Sequence, residues 1–330
     1  MNTLSQDPQR QHLEQQTAAA PQGSGSLFAF PPALRYPAYR SYWLGTLASV
    51  SGFQILWASQ LWLIHTMENS PLYLGYVGLA NAIPSIALSL FGGVIADRLD
   101  KRRLITVTQT ILALLIFTLA TLSLMDLIRT WQVLAIAFVA GGVNAFDQPA
   151  RQALYPLLIE RRVMMSAVAL NSAIWQGTRI IGPAFAGIII ATVGTAVSFY
   201  VAGAGFLAMA AVIHGLKVPD IARGATASAA QDMMEGMRFI KTNSVFTFLI
   251  GMTFFNSFFG MSYLVLMPVF AEDILGQGPG AYGALLSAGG VGALITTLWL
   301  SSRRNIRRQG QLIIGGATLF GLSVAAFGIT

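Results

Sequence analysis

The sequence contains no cysteine, which excludes disulfide bridges, thiolate metal sites and cysteine-based catalysis. Charge is scarce as well. Asp, Glu, Lys and Arg make up 10% of the 330 residues, against about 25% in soluble domains. So little polar surface cannot cover a water-soluble fold. The three histidines, His12, His65 and His214, are too scattered for a metal site, and the last two fall at the ends of apolar runs, where an interfacial position is expected. No glycine-rich phosphate loop follows a strand; Gly289-Gly-Val-Gly292 lies inside an apolar run and reads as a packing stretch. These absences leave no signal for an enzyme, a cofactor or a metal.

What is present is apolar: 55% of residues are hydrophobic and the mean hydropathy is +0.63. At roughly 20 residues per helical crossing, that suffices for about nine spans. Nine runs can be marked, at 42–66, 74–96, 104–125, 131–146, 166–192, 196–216, 245–270, 282–301 and 311–330. Unbroken runs of this length, with Gly and Ala throughout, suit helices, because barrel strands are about ten residues long and alternate in polarity. The fourth run is short and is expected to continue helically to about Tyr155. The expected fold class is an all-α polytopic membrane protein.

The net charge of +7 is distributed by loop. Eighteen of the twenty Lys and Arg fall in the N-terminal segment or in the connections after runs 2, 4, 6 and 8. The remaining two are Arg129, in an opposite-side connection, and Arg179, inside run 5. This asymmetry predicts a cytoplasmic N-terminus in a multi-pass protein of the cell membrane. The basic clusters fit an anionic bilayer surface and argue against a nucleic-acid partner.

Four regions follow: residues 1–41 as a disordered cytoplasmic tail, 42–216 as a six-helix half, 217–244 as a cytoplasmic connection, and 245–330 as the first three spans of a second half. Residues 231–242 alternate Met and Ile with charged positions, as an amphipathic helix along the membrane surface would. An offset of 206 superposes Tyr76, Arg98 and Arg102 on Tyr282, Arg304 and Arg308, consistent with two parallel repeats. A 6 + 3 arrangement predicts that the second half is truncated after three spans.

The sharpest motif runs from Gly93 through Asp97, Arg98, Asp100, Lys101 and Arg102 to Arg103, at the end of run 2. Gly93 and Asp97 are one helical turn apart, so Gly93 permits a close helix approach while Asp97 sets a carboxylate at the rim. In run 5, Gly182, Pro183 and Gly187 make a bend with small residues on one face. Arg179 lies well inside that run, where a charge is costly and marks a pathway or a partner. It either lines a cavity with Asn171 and Trp175, or satisfies backbone carbonyls freed near Pro183. Asp147 and Arg151 flank Pro149 in run 4; either they pair at i, i+4, or Asp147 caps a helix resuming at Pro149. Gln54, Gln60, Asn144 and Asn256 are further interior polar candidates for a substrate cavity.

The run 2 motif resembles the signature of the major facilitator superfamily in the loop between its second and third spans, with Asp100 standing where that family usually carries Gly. The segments Asp147-Gln-Pro-Ala-Arg151 and Arg179-Ile-Ile-Gly182-Pro183 are similar to those of the enterobactin-exporter-type bacterial efflux permeases, and the resemblance extends from about residue 32 to 330. It implies a major-facilitator helix bundle working by alternating access. It also implies a gate in which Asp97, Lys101 and Asp147 form a charge cluster that holds the outward-open state, and an antiporter motif at Gly182, Pro183 and Gly187. The expected function is export of small amphipathic molecules such as drugs or siderophores, coupled to protons, by a monomer. A lipid or lysolipid transporter of the same fold, or a non-transporting membrane scaffold, stays open as an alternative. Asp147 is the best proton-carrier candidate, because no carboxylate lies clearly at the midplane of a run; Glu68 and Asp126 fall at the rim.

Overall fold

The computed structural model describes residues 31–68, 70–216, 238, 242–260, 262–301 and 309–328, with the side chains of 90–91, 94–98, 245, 256, 297–301 and 309 outside that description. Among the described residues, nine long helical segments appear, one at each apolar run. They are α1 (Pro37–Glu68), α2 (Pro71–Arg98), α3 (Lys101–Leu124), α4 (Thr130–Leu154), α5 (Met164–Val193), α6 (Thr195–Gly215), α7 (Ser244–Gly260), α8 (Pro279–Ser301) and α9 (Gln309–Phe327). No strand occurs among the described residues.

Helix starts follow local chemistry. Pro37 and Pro71 open α1 and α2 at the position where a missing amide costs nothing. Asp100 caps α3 by accepting from the backbone amides of Arg102 at 2.9 Å and Arg103 at 3.3 Å. Gly194, at φ +91°, is the single residue between α5 and α6, a backbone setting that L side chains rarely adopt. The chain turns helical earlier than the boundary expected at residue 42. Pro32–Arg35 form a 3-10 turn, and Ala33 and Tyr39 are buried, with the Tyr39 hydroxyl donating to the Ala167 carbonyl at 3.1 Å. The rest of the expected tail, and the connection at 217–237 with most of the amphipathic segment, lie outside the described residues.

Helices α1–α6 form one packed unit, with α2 against α4, α3 against α6, and α1 between α5 and α6. Helix α8 joins through α5. The seventh run, expected as one continuous helix, is interrupted. After α7 come two short helical turns, Ser262–Val265 and Met267–Val269, and then a π-helical turn, Phe270–Ile274. Pro268 explains part of the break, because it has no amide to continue the ladder.

One end of the bundle carries Arg102, Arg103, Arg151, Arg161 and Arg162 and is called here the basic end. The opposite end carries Glu68, Asp126, Glu272 and Asp273.

Candidate functional site

At the basic end, α4 brings Asp147 and Arg151 into an ion pair, with Arg151 Nε 2.5 Å from Asp147 Oδ2. The second carboxylate oxygen accepts from Thr108 Oγ1 of α3 at 2.7 Å. Arg151 Nη2 donates to Ser49 Oγ of α1 at 2.7 Å, and Ser49 in turn donates to Gln109 Oε1 of α3 at 2.9 Å. Asp147, Ser49, Thr108 and Gln109 are all buried. A buried pair recovers its desolvation cost only when its remaining polar atoms are also hydrogen-bonded, and here both charged groups reach a hydroxyl beyond the pair. Three helices are thereby tied around one charge pair. Of the two readings open for Asp147, the structure holds the i, i+4 pair. Helix α4 runs unbroken through Pro149, so no helix restarts there to be capped.

A cavity of about 490 Å³ opens onto this network, a size ordinary for a small-molecule site. Asn81 and Gly93 of α2, Asn144, Gln148 and Gln152 of α4, and Asn171 and Trp175 of α5 line it with the ion pair. Its wall is therefore largely uncharged amide and aromatic surface around one neutralised pair. Asn144, Asn171 and Trp175 line this cavity, and the expected Gln54, Gln60 and Arg179 stand elsewhere. Gln54 packs its Cβ against Gly182, Gln60 is buried in α1, and the side chain of Asn256 lies outside the described residues. Arg179 is exposed on α5, two turns beyond Asn171 and off the cavity wall. The carbonyl that Pro183 leaves without its amide is that of Arg179, and the next one along has a side-chain donor. Ser287 Oγ of α8 donates to the Ile180 carbonyl at 2.7 Å.

The motif after α2 is shared between roles. The close approach expected at Gly93 is made by its neighbour. A Cβ at Gly93 would meet nothing within 4 Å, whereas one at Gly92 would collide with the carbonyl oxygen of Ala145. That carbonyl is the one Pro149, four residues on, cannot serve with an amide. Arg102 reaches the C-terminus of α6, with Nε donating to the Ile213 carbonyl at 3.1 Å and a second nitrogen to that of His214. It thus covers carbonyls that a helix end leaves open. Lys101 opens α3 and is half-buried. The side chains of Asp97 and Arg98 lie outside the described residues, so the charge cluster implied for Asp97, Lys101 and Asp147 remains an expectation.

In α5, Gly182 receives Gln54, and a Cβ there would stand 2.5 Å from Gln54 Cβ. Gly187 meets α8 backbone to backbone. A Cβ on Gly187 would come 2.6 Å from the Pro279 carbonyl oxygen, and one on Gly283 would come 2.6 Å from that of Pro183. Gly182 and Gly187 therefore seat two partner helices, one on either side of Pro183 along the chain.

Sequence reasoning missed Ser49, Thr108 and Gln109, whose only signal was polarity inside apolar runs. It also misjudged His65, expected at an interface. The residue is 1% exposed, with Nε2 3.3 Å from Glu272 Oε2 and 3.6 Å from Asp273 Oδ1. The reason is the π-helical turn, which folds both carboxylates over the end of α1.

The chain is similar to known proteins over most of its length. The staphyloferrin A transporter of Staphylococcus aureus (strain NCTC 8325 / PS 47) is 28% identical over 290 residues, covering 83% of this chain and 68% of the transporter. Macrolide efflux protein A of Streptococcus pyogenes is 21% identical over 295 residues, covering 88% of this chain and 73% of that protein. The multidrug efflux pump Tap of Mycolicibacterium fortuitum is 25% identical over 280 residues, covering 81% and 68%. The pattern of the transmembrane secretion effectors, a major facilitator family, matches residues 28–330. With a nine-segment helical bundle and a pattern match over nearly its whole length, the chain belongs to the transmembrane secretion effector family of the major facilitator superfamily.

Proposed function

We propose that this protein is a secondary active exporter of small amphipathic molecules, working by alternating access and driven by the proton gradient. The observation that carries the reading is the 490 Å³ cavity at the basic end, walled by amides and aromatics around the Asp147–Arg151 pair. Such a wall offers stacking and hydrogen bonds without a fixed net charge, which suits amphipathic solutes of varied shape. The relatives named for staphyloferrin A, macrolides and multiple drugs support substrates of that kind.

With the N-terminus and the basic end in the cytoplasm, the cavity faces the compartment from which an exporter loads. The ion pair then holds α1, α3 and α4 together while the cavity is open. Rearrangement of that pair accompanies the passage to the outward-facing form. The Gly182–Gly187 stretch of α5 around Pro183, held between Gln54 of α1 and Gly283 of α8, is the joint about which the two helix sets move. Asp97 and Lys101 join Asp147 in the cluster that holds the outward-open form, as the family motif implies, and Arg179, Gln60 and Asn256 are the further substrate-contact candidates.

Expression in a host lacking its own major efflux pumps tests this. Cells carrying the protein should retain less ethidium and less erythromycin than cells carrying Asp147→Asn at equal abundance. Equal retention in both would overturn the export reading.

A further inference from the structure

At the end opposite the cavity, His65 is a deeply buried ionisable side chain that the proposed transport path leaves unused. It is 1% exposed, and neither ring nitrogen has a partner in hydrogen-bond geometry. A buried imidazole without partners calls for an explanation. The one at hand is electrostatic. Nε2 lies within ion-pair distance of two carboxylates, Glu272 at 3.3 Å and Asp273 at 3.6 Å, which are themselves about half exposed. They come from the Phe270–Ile274 turn, which is π-helical, a rare geometry concentrated at functional sites.

We propose that His65, Glu272 and Asp273 form a proton-binding latch that holds the outer end of α1 against the segment following α7. The inference names where the coupling proton binds, and so rests on the proton-driven reading above. Protonated, His65 is a cation facing two anions, and the contact closes. Deprotonated, it leaves two carboxylates side by side with no cation between them, and their repulsion opens it. The half-exposed acids connect the buried ring to water on this side, so the proton enters from the side opposite the cavity, and its release toward the cavity side after the helix sets rearrange is what couples it to export.

The other groups around this end of α1 do not compete. Tyr282 of α8 stacks obliquely on Trp62, with ring centroids 5.4 Å apart, and donates to the Ala58 carbonyl at 3.0 Å. Trp62 itself meets the His65 ring at 6.3 Å. Ser198 of α6 is bonded to Ser59 at 2.8 Å and does not titrate. Glu68, one turn further along α1, accepts from Thr130 Oγ1 and shares a surface recess with Arg129 and Tyr73. His65 therefore faces one pair of acids, both on a single turn. The Tyr282 and Trp62 contacts hold α8 beside the latch, so its opening bears on both helix sets.

The absence of cysteine makes site-specific spin labelling direct. Met67→Cys and Leu275→Cys, labelled on the intact chain in liposomes without any transport substrate, report the latch as an inter-label distance distribution. Between about pH 5 and pH 8 the short-distance population should fall severalfold in the otherwise unmodified protein. That response should vanish in His65→Gln, and also in Glu272→Gln/Asp273→Asn, which keeps the histidine and removes its partners. A distribution independent of pH, or a pH response that survives both variants, would overturn the latch. Proton-driven transport is scored separately in vesicles. Its persistence alongside a failed latch would move the proton site elsewhere, while its absence would remove the coupling reading whatever the labels report.

Discussion

Arg151 and Asp147 meet at 2.5 Å across one turn of α4, and each is tied to a different neighbouring helix, Arg151 to Ser49 of α1 and Asp147 to Thr108 of α3. The pair is thus a three-helix junction as well as a local contact. Removing either charge leaves the other buried without its counter-ion. Asp147→Asn and Arg151→Gln should each lower stability by roughly 2 kcal/mol. The double variant should cost less than the sum, since neither charge is then stranded. Thermal unfolding in detergent measures the cycle, and strict additivity would show that the two residues act independently.

Neighbouring glycines should behave differently. Gly92→Ala forces a methyl group into the Ala145 carbonyl and should cost about 1–3 kcal/mol by overpacking. Gly93→Ala adds a methyl in open space and should leave the unfolding temperature within a degree or so, by the usual scale of neutral surface changes. The same melting experiment checks both, and equal destabilisation would contradict the α2–α4 contact described here.

Arg179 is exposed on α5, and no carboxylate pairs with it among the described residues. If it contacts solutes during the cycle, its planar guanidinium selects anionic groups by paired hydrogen bonds, which an ammonium cannot reproduce. Arg179→Lys should shift preference between anionic and cationic substrates, and Arg179→Met should abolish export of anionic compounds while sparing cationic ones. Competition between ethidium and an anionic fluorophore in the export assay reads this out. An unchanged profile in both variants would make Arg179 a purely structural residue.

Orientation follows from the basic clusters. A reporter fused after Arg103 should read cytoplasmic and one fused after Met67 external, and reversed readings would move the cavity to the wrong side for an exporter.

The helical architecture was legible because membrane spans announce themselves by length. Eight of the nine apolar runs became single helices among the described residues, with ends displaced by a few residues where Pro37, Asp100 or Pro279 set the start, and the seventh became an interrupted one. The Asp147–Arg151 pair was half legible, since an i, i+4 spacing permits a contact but says nothing about which neighbour completes it. Ser49, Thr108 and Gln109 come from helices whose packing the sequence does not state. The Gly92 contact was assigned one residue late, because a helical turn fixes spacing along an axis and leaves the facing direction to the partner helix. His65 was read as interfacial because its partners are more than 200 residues away and lie on a π-helical turn. Neither fact leaves a periodic trace.

The central claim is proton-driven export through the basic-end cavity, and inside-out membrane vesicles test it most directly. With the interior acidified, vesicles carrying the protein should accumulate ethidium. Accumulation should collapse when the pH gradient is dissipated, and Asp147→Asn vesicles with equal protein should show no gradient-dependent uptake. Uptake that ignores the gradient, or that persists unchanged in Asp147→Asn, would contradict the account.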